Sequence, residues 1–449
     1  MKFLLGKKSR AEVAEVGDRL EEPPDSQKCS PTEIEPLKPV SLWHMIKLAF
    51  GLIPFGHFEY ISNSFISPLA RDLVNNATQV GLIQALNPMF GFLVQPVIGW
   101  FGDHTWTRMG RRKPYLLFAL PFILVALIVM PLTHGVHSLL WFILAVVVYQ
   151  FFVDMYAVSC STMMPETVPG HQRSRQASVG AVMNSLLMIF ALTVVGRLYD
   201  KSHLYPFALA ALITTVSTAV LVFGIKELSH GKVRRPPMLS LPLDIYRHGL
   251  KNRNIRIMFL IILFGSYGNN SVAAFYTLFV RESLGGTVGR AVFISAIGAA
   301  VGLVSAVPLG LLADRFGKKN VLIFGSIMGI TATLIALTAQ SFNQMYYHFF
   351  FAALGHTAGA VAFYPLMTQF MPRNRIGTIS GSVPFFFGGA RFLAMLTAGM
   401  IIDAFGENYR VIYWIALACS IPAFILLLMV DTTKVDQSQM EAGNATVGE

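Results

Sequence analysis

Gly99-Trp100-Phe101-Gly102-Asp103-His104-Thr105-Trp106-Thr107-Arg108-Met109-Gly110-Arg111-Arg112-Lys113-Pro114 separates two long apolar runs. Gly310-Leu311-Leu312-Ala313-Asp314-Arg315-Phe316-Gly317-Lys318-Lys319 separates two others, about 210 residues further on. In each stretch an acidic residue closes an apolar run, and a turn glycine and a cluster of cations follow. A carboxylate at a helix C-terminus meets the negative end of the helix dipole. Building that cost in twice, at matching places, points to a duplicated membrane protein and to transport rather than bond chemistry.

Composition agrees. The 449 residues are 54% hydrophobic and only 13% charged, where a soluble surface needs roughly 25% charged residues. The apolar material falls in runs of about 20 residues, the length that crosses a bilayer as helix. A transmembrane barrel would need short alternating segments instead. The net charge of +11 does not point to nucleic acid, because the cations lie in short connectors between apolar runs. Cys29, Cys160 and Cys419 are too few and too scattered for a disulfide framework or a metal site.

The pattern predicts an all-α polytopic protein of twelve spans: 43–69, 80–101, 115–132, 139–163, 177–198 and 205–225, then 255–280, 291–312, 321–339, 345–370, 376–402 and 409–430. Five regions follow. Residues 1–40, polar and proline-rich, are expected as a disordered tail, with no cleavable signal. Residues 41–225 and 255–431 form two six-helix bundles, 226–254 a linker, and 432–449 a second tail. Connectors after even-numbered spans carry most of the Lys and Arg, including Arg108, Arg111, Arg112, Lys113, Arg315, Lys318 and Lys319. The positive-inside rule therefore places them, and both termini, in the cytoplasm.

The halves echo each other. Phe55-Gly56, Arg71-Asp72, Asp103 and Met164-Pro165 recur as Phe264-Gly265, Arg281-Glu282, Asp314 and Met371-Pro372. Two parallel six-span repeats are the architecture of major facilitator transporters, which bind substrate near the midplane between halves. Asp103 with Arg108, Arg111 and Arg112, and Asp314 with Arg315, Lys318 and Lys319, are expected to latch the cytoplasmic gate in one of two states. Glu166 with Arg173, after span four, and Arg373 or Arg375, after span ten, are candidates for a second charge relay there.

The block 99–114 resembles the loop between helices two and three of the glycoside–cation and sucrose-type proton symporters of that superfamily. The likeness rests on Asp103, Thr105, Trp106, Thr107, Arg108, Gly110, Arg111, Arg112 and Pro114, and on 93–99 before them. His104 stands where that family usually has arginine. The resemblance implies a helix-four aspartate that binds sugar and couples to a cation, a role that falls on Asp154.

Ionisable residues inside spans cost about 2.5–3.5 kcal/mol on insertion scales and usually serve function. Here they are Glu59, Asp154, His356 and Arg391. A desolvated carboxylate can hold a proton near neutral pH, so Asp154 and Glu59 are candidates for proton coupling. Asn63, Asn87, Asn269, Asn270 and Tyr276 supply polar groups for a sugar, with Asn184 and Tyr364 as further members of that set. Glu59 and Asn63, four apart, share one helix face. No Walker loop, phosphate cradle or metal-ligand spacing is present in the sequence. The expected function is proton-coupled symport of a sugar or glycoside, with sodium as the alternative ion and no other cofactor. The alternative is an exporter or uniporter of another small organic solute. The expected partners are that solute and the lipid bilayer, and not nucleic acid. A monomer in the plasma membrane, or in the inner membrane of a bacterium, is expected.

Overall fold

The computed structural model describes residues 39–105, 107–169, 172–227, 252–371 and 383–432, and among them builds twelve long helices and no strand. The first half comprises α1 (Leu42–Ser64), α2 (Ala77–His104), α3 (Lys113–Gly135), α4 (Leu139–Thr167), α5 (Arg173–Tyr199) and α6 (Leu204–Gly224). The second comprises α7 (Arg253–Leu278), α8 (Val288–Phe316), α9 (Lys318–Thr338), α10 (Gln344–Gln369), α11 (Val383–Ala404) and α12 (Val411–Leu428). Eleven helical stretches among the described residues are long and apolar enough to cross a bilayer. The remaining one, α1, has 23 residues but carries His44, Lys47, His57 and Glu59. The expected tails at 1–38 and 433–449, the linker at 228–251, and Arg373 and Arg375 lie outside the described residues.

Local chemistry sets the helix ends. Side chains of Ser41, Asn76, Asn252 and Thr287 cap α1, α2, α7 and α8 by accepting from backbone N–H groups of the first turn, which have no partner within their own helix. α8 and α9 are joined through Gly317 alone, at φ 89°, a left-handed conformation that glycine adopts at little cost. α1 breaks after Ser64 because Pro68 lacks the N–H that would reach the Ser64 carbonyl. It resumes as the short segment Ile66–Arg71. α7 is irregular at the matching place, where a π-helical turn, Phe279–Ser283, follows it.

Packing repeats six helices on. In the first half α1 packs on α5 and α6, α2 on α4, and α3 on α4 and α6. In the second, α7 packs on α11 and α12, α8 on α10, and α9 on α10 and α12. The halves meet along α2–α11, α5–α8 and α1–α7. One buried cluster runs through both halves, from Phe65 and Val80 to Phe275, Val292 and Met395. At the end that bears the basic loops the second half keeps a separate core around Met258, Leu309, Leu322 and Leu366. Tight contact between halves lies at the opposite face. A methyl on Gly196 (α5) would sit 2.5 Å from the Gly289 carbonyl oxygen (α8), and one on Gly81 (α2) 2.5 Å from that of Met395 (α11). Arg71 pairs with Glu407 at 2.7 Å and Arg281 with Asp72 at 3.0 Å on that same face. Tyr409 is buried beside them, and desolvation pushes its phenol up to about 12, so it keeps its proton in any ordinary buffer.

Candidate functional site

At the basic face, the loop that decides the fold is folded around a carboxylate that sequence reasoning missed. Glu227, just beyond α6, accepts backbone N–H bonds from Arg111, from Arg112 at 2.9 Å and from Lys113 at 3.0 Å. It thereby serves the first turn of α3. Gly110 makes room for it, with φ 116° and a missing side chain where the Glu227 carboxylate lies. The Arg112 side chain is 1% exposed. Its guanidinium lies where a side chain on Gly102 would be and donates to the Gly99 carbonyl at 3.5 Å, a cation at the negative end of α2. Arg111 is buried and Arg108 exposed.

The other gate candidates are dispersed. Asp314 and Arg315 are exposed, and Arg315 lies over the Phe316 ring at 5.4 Å. Lys318 opens α9. Lys319 donates to the carbonyls of Leu428 and Val430 at 3.0 and 2.7 Å, closing the end of α12. The side chains of Asp103, His104, Glu166 and Arg173 lie outside what is described, as does that of Glu59.

Mid-membrane, α4 is fixed on several sides. Phe152 stacks on Phe122 of α3 at 4.2 Å, Phe151 meets Phe90 of α2 edge-on, and Tyr156 meets Phe58 of α1 edge-on at 5.7 Å. Gln150 donates to Ser62 of α1 at 3.0 Å, and the Tyr156 hydroxyl lies 3.0 Å from that of Thr218 of α6. These contacts leave Asp154, 8% exposed, directed at α2. There Gln95 Nε2 donates to its Oδ1 at 2.8 Å, and Gly91 packs against the carboxylate, so that a methyl there would touch its two oxygens at 3.5 and 4.0 Å. Asn87, Gly91 and Gln95 recur every fourth residue, so they share one face of α2. The arrangement can hold a carboxylate, ionised or protonated, in hydrogen-bonding company within the membrane.

Between the halves, Arg391 of α11 donates to Asn63 of α1 at 3.4 Å. His356, Asn269 and Tyr364 are exposed. Other candidates are absorbed into packing. Asn270 is buried and donates to the Ser266 carbonyl at 2.7 Å, and Tyr276 is buried and donates to the Ala291 carbonyl at 3.1 Å. Asn184 and Tyr60 line a small cavity between α1 and α5. A further polar chain, not anticipated from sequence, crosses between halves. Gln84 donates to the Ser62 carbonyl at 2.9 Å and to Ser67, whose hydroxyl donates to the Ala274 carbonyl of α7 at 2.5 Å.

Residues 48–383, and again 258–446, match the sequence profile of the Major Facilitator Superfamily. The chain belongs to that superfamily. Among its relatives, multidrug resistance protein MdtG of Salmonella choleraesuis is 26% identical over 340 residues, covering 73% of this chain and 79% of the relative. The MdtG of Salmonella typhimurium matches to the same extent. Among solved structures, a point mutant of the nucleoside transporter NupG superimposes with a TM-score of 0.68 at 13% identity, covering 87% of this chain and 99% of that one. A bacterial homologue of the iron transporter ferroportin, in its inward-facing state, gives 0.67 at 15% identity, with 87% and 99% covered. These structural likenesses carry the fold. As a member of the Major Facilitator Superfamily the protein is a multi-pass integral membrane transporter of small-molecule substrates, and not an enzyme.

Proposed function

We propose that this transporter couples movement of a sugar or glycoside to movement of protons in the same direction, by alternating access. The carrying observation is the Asp154 carboxylate, buried in α4 and hydrogen-bonded by Gln95 of α2. An intramembrane carboxylate is costly and is rarely kept without a task. It takes a proton when its cavity faces one side and releases it on the other. Asn63, Asn87, Asn269, His356 and Arg391 supply donors and acceptors for a polyhydroxylated solute. Tyr276 ties α7 to α8 through the Ala291 carbonyl, and Asn270 is taken up by Ser266 within α7. The resemblance of block 99–114 to sucrose-type symporters supports the substrate class. The basic loops and both termini face the cytoplasm, consistent with the placement of Lys and Arg, and the protein acts as a monomer in the plasma membrane, or the inner membrane of a bacterium.

A second reading is export of another organic solute, favoured by the name of the MdtG relatives. Purified protein in proteoliposomes, given an imposed pH gradient and a panel of sugars and glycosides, separates the two. Gradient-driven accumulation of one sugar supports symport. No sugar movement, together with proton-driven extrusion of a cationic dye, transfers the function to export. Accumulation driven only by sodium replaces the ion and keeps the rest.

A further inference from the structure

Two aspartates outside every motif discussed so far tie the halves together at the face opposite the basic loops. Asp403, at the end of α11, accepts from the Ala77 N–H at 2.8 Å, the Thr78 N–H at 2.7 Å and the Thr78 hydroxyl at 2.5 Å, all in the first turn of α2. Asp200, at the end of α5, accepts from the Gly289 N–H at 3.1 Å and the Thr287 hydroxyl at 2.9 Å, at the start of α8. One bond set runs from the second half to the first, the other from the first half to the second. The local caps leave room for this. Asn76 takes the Gln79 N–H and Thr287 takes the Arg290 N–H, so earlier N–H groups of each helix are open to a partner. Gly289 has no side chain where the Asp200 carboxylate sits.

Each carboxylate lies unfavourably at the C-terminus of its own helix and favourably at the N-terminus of a helix from the other half. Its stabilisation therefore exists only while the two halves touch at this face. We infer that Asp200 and Asp403 form a paired outer latch that holds this face of the transporter closed and biases it towards the state open at the basic face. An aspartate thus ends each of the four seam helices α2, α5, α8 and α11, as Asp103, Asp200, Asp314 and Asp403. Asp200 and Asp403 are engaged here through backbone and hydroxyl donors of the other half, although Asp200, like Asp314 at the basic face, is exposed.

The inference rests on two-half transport alone, and its test uses no substrate, so its failure leaves the sugar and proton proposal standing. Cysteine is introduced at Val292 or Met395, which are 1% and 0% exposed in the α5–α8 and α2–α11 seams, in full-length protein freed of Cys29, Cys160 and Cys419. Labelling by a water-soluble maleimide is timed in detergent with and without Asp200→Asn and Asp403→Asn. Each substitution is expected to raise the rate about tenfold, the scale of a lost helix cap, and the double variant more than either alone. Thr78→Val, which keeps shape and removes one donor, raises it less and only strongly at Met395→Cys. Unchanged rates in both single variants and in Thr78→Val, with thermal unfolding like that of the parent, overturn the latch. If the double variant does not fold, the two single variants and Thr78→Val decide in the same way.

Discussion

Glu227→Ala removes the acceptor that holds the start of α3. In the folded protein that carboxylate receives three consecutive backbone N–H groups, from Arg111, Arg112 and Lys113. Loss of a helix cap costs about 0.5–2 kcal/mol. Hydrogen bonds to a charged group contribute about 1.5–3 kcal/mol each, but Glu227 is only half-buried and water replaces part of what is lost. A local cost of about 1–2 kcal/mol follows, or about 5- to 30-fold in the opening equilibrium of the loop. Amide hydrogen exchange followed by mass spectrometry reads this directly. Peptides covering 107–115 should lose protection by that factor, while peptides from α9 and α10, remote from the loop, should not change. Glu227→Gln, which keeps one carbonyl acceptor, should fall between. Gly110→Ala should resemble Glu227→Ala, because its methyl would occupy the carboxylate's place at a positive φ. Unchanged protection of 107–115 in Glu227→Ala would refute the idea that the loop is organised around this residue.

Gln84→Leu should lower unfolding stability in detergent by about 1–3 kcal/mol, the cost of leaving buried acceptors unmatched, whereas Leu82→Ala, on an exposed site, should stay within about 0.5 kcal/mol. Arg281→Gln, whose partners Asp72 and Glu282 are about a third exposed, should cost less than about 1 kcal/mol and lose even that in high salt, as thermal melts at two ionic strengths would record. Gly196→Ala presses a methyl on the Gly289 carbonyl oxygen. Spin labels at Lys201 and Arg290 should then report a wider separation of α5 and α8, and an unchanged distance distribution would count against close packing there.

Much of the fold was legible because hydropathy and charge report directly on a bilayer. All twelve spans have a helix, and Leu204–Gly224 differs from the expected 205–225 by a single residue at each end. Other ends run further: α2 begins at Ala77 rather than 80, and α8 continues to Phe316 rather than 312, because capping residues and polar first turns extend helices beyond their apolar core. The break after Ser64 was not anticipated, since the expected span 43–69 runs straight through Pro68, and the π-helical turn at Phe279–Ser283 has no residue signature of its own. The site was less legible. Asp154 stood out as a charge in an apolar run, whereas its partner Gln95 resembled any neutral polar residue. Asn270 and Tyr276 have the composition of a sugar site, yet they satisfy nearby carbonyls, a distinction that depends on rotation about a helix axis. Asp200, Asp403 and Glu227 sit in polar connectors or at span ends, where carboxylates are common, and only tertiary contact gives them a role. The Asn76-Ala77-Thr78 triplet reads as a glycosylation sequon, but Asn76 and Thr78 are engaged in capping α2 and receiving Asp403.

The most direct test of proton-coupled transport compares accumulation with exchange in Asp154→Asn. In proteoliposomes with an imposed pH gradient, the parent protein should accumulate its sugar above equilibrium. The variant should lose that accumulation while still exchanging labelled for unlabelled sugar across the membrane. Full gradient-driven accumulation by Asp154→Asn would contradict the role of this carboxylate as the coupling site.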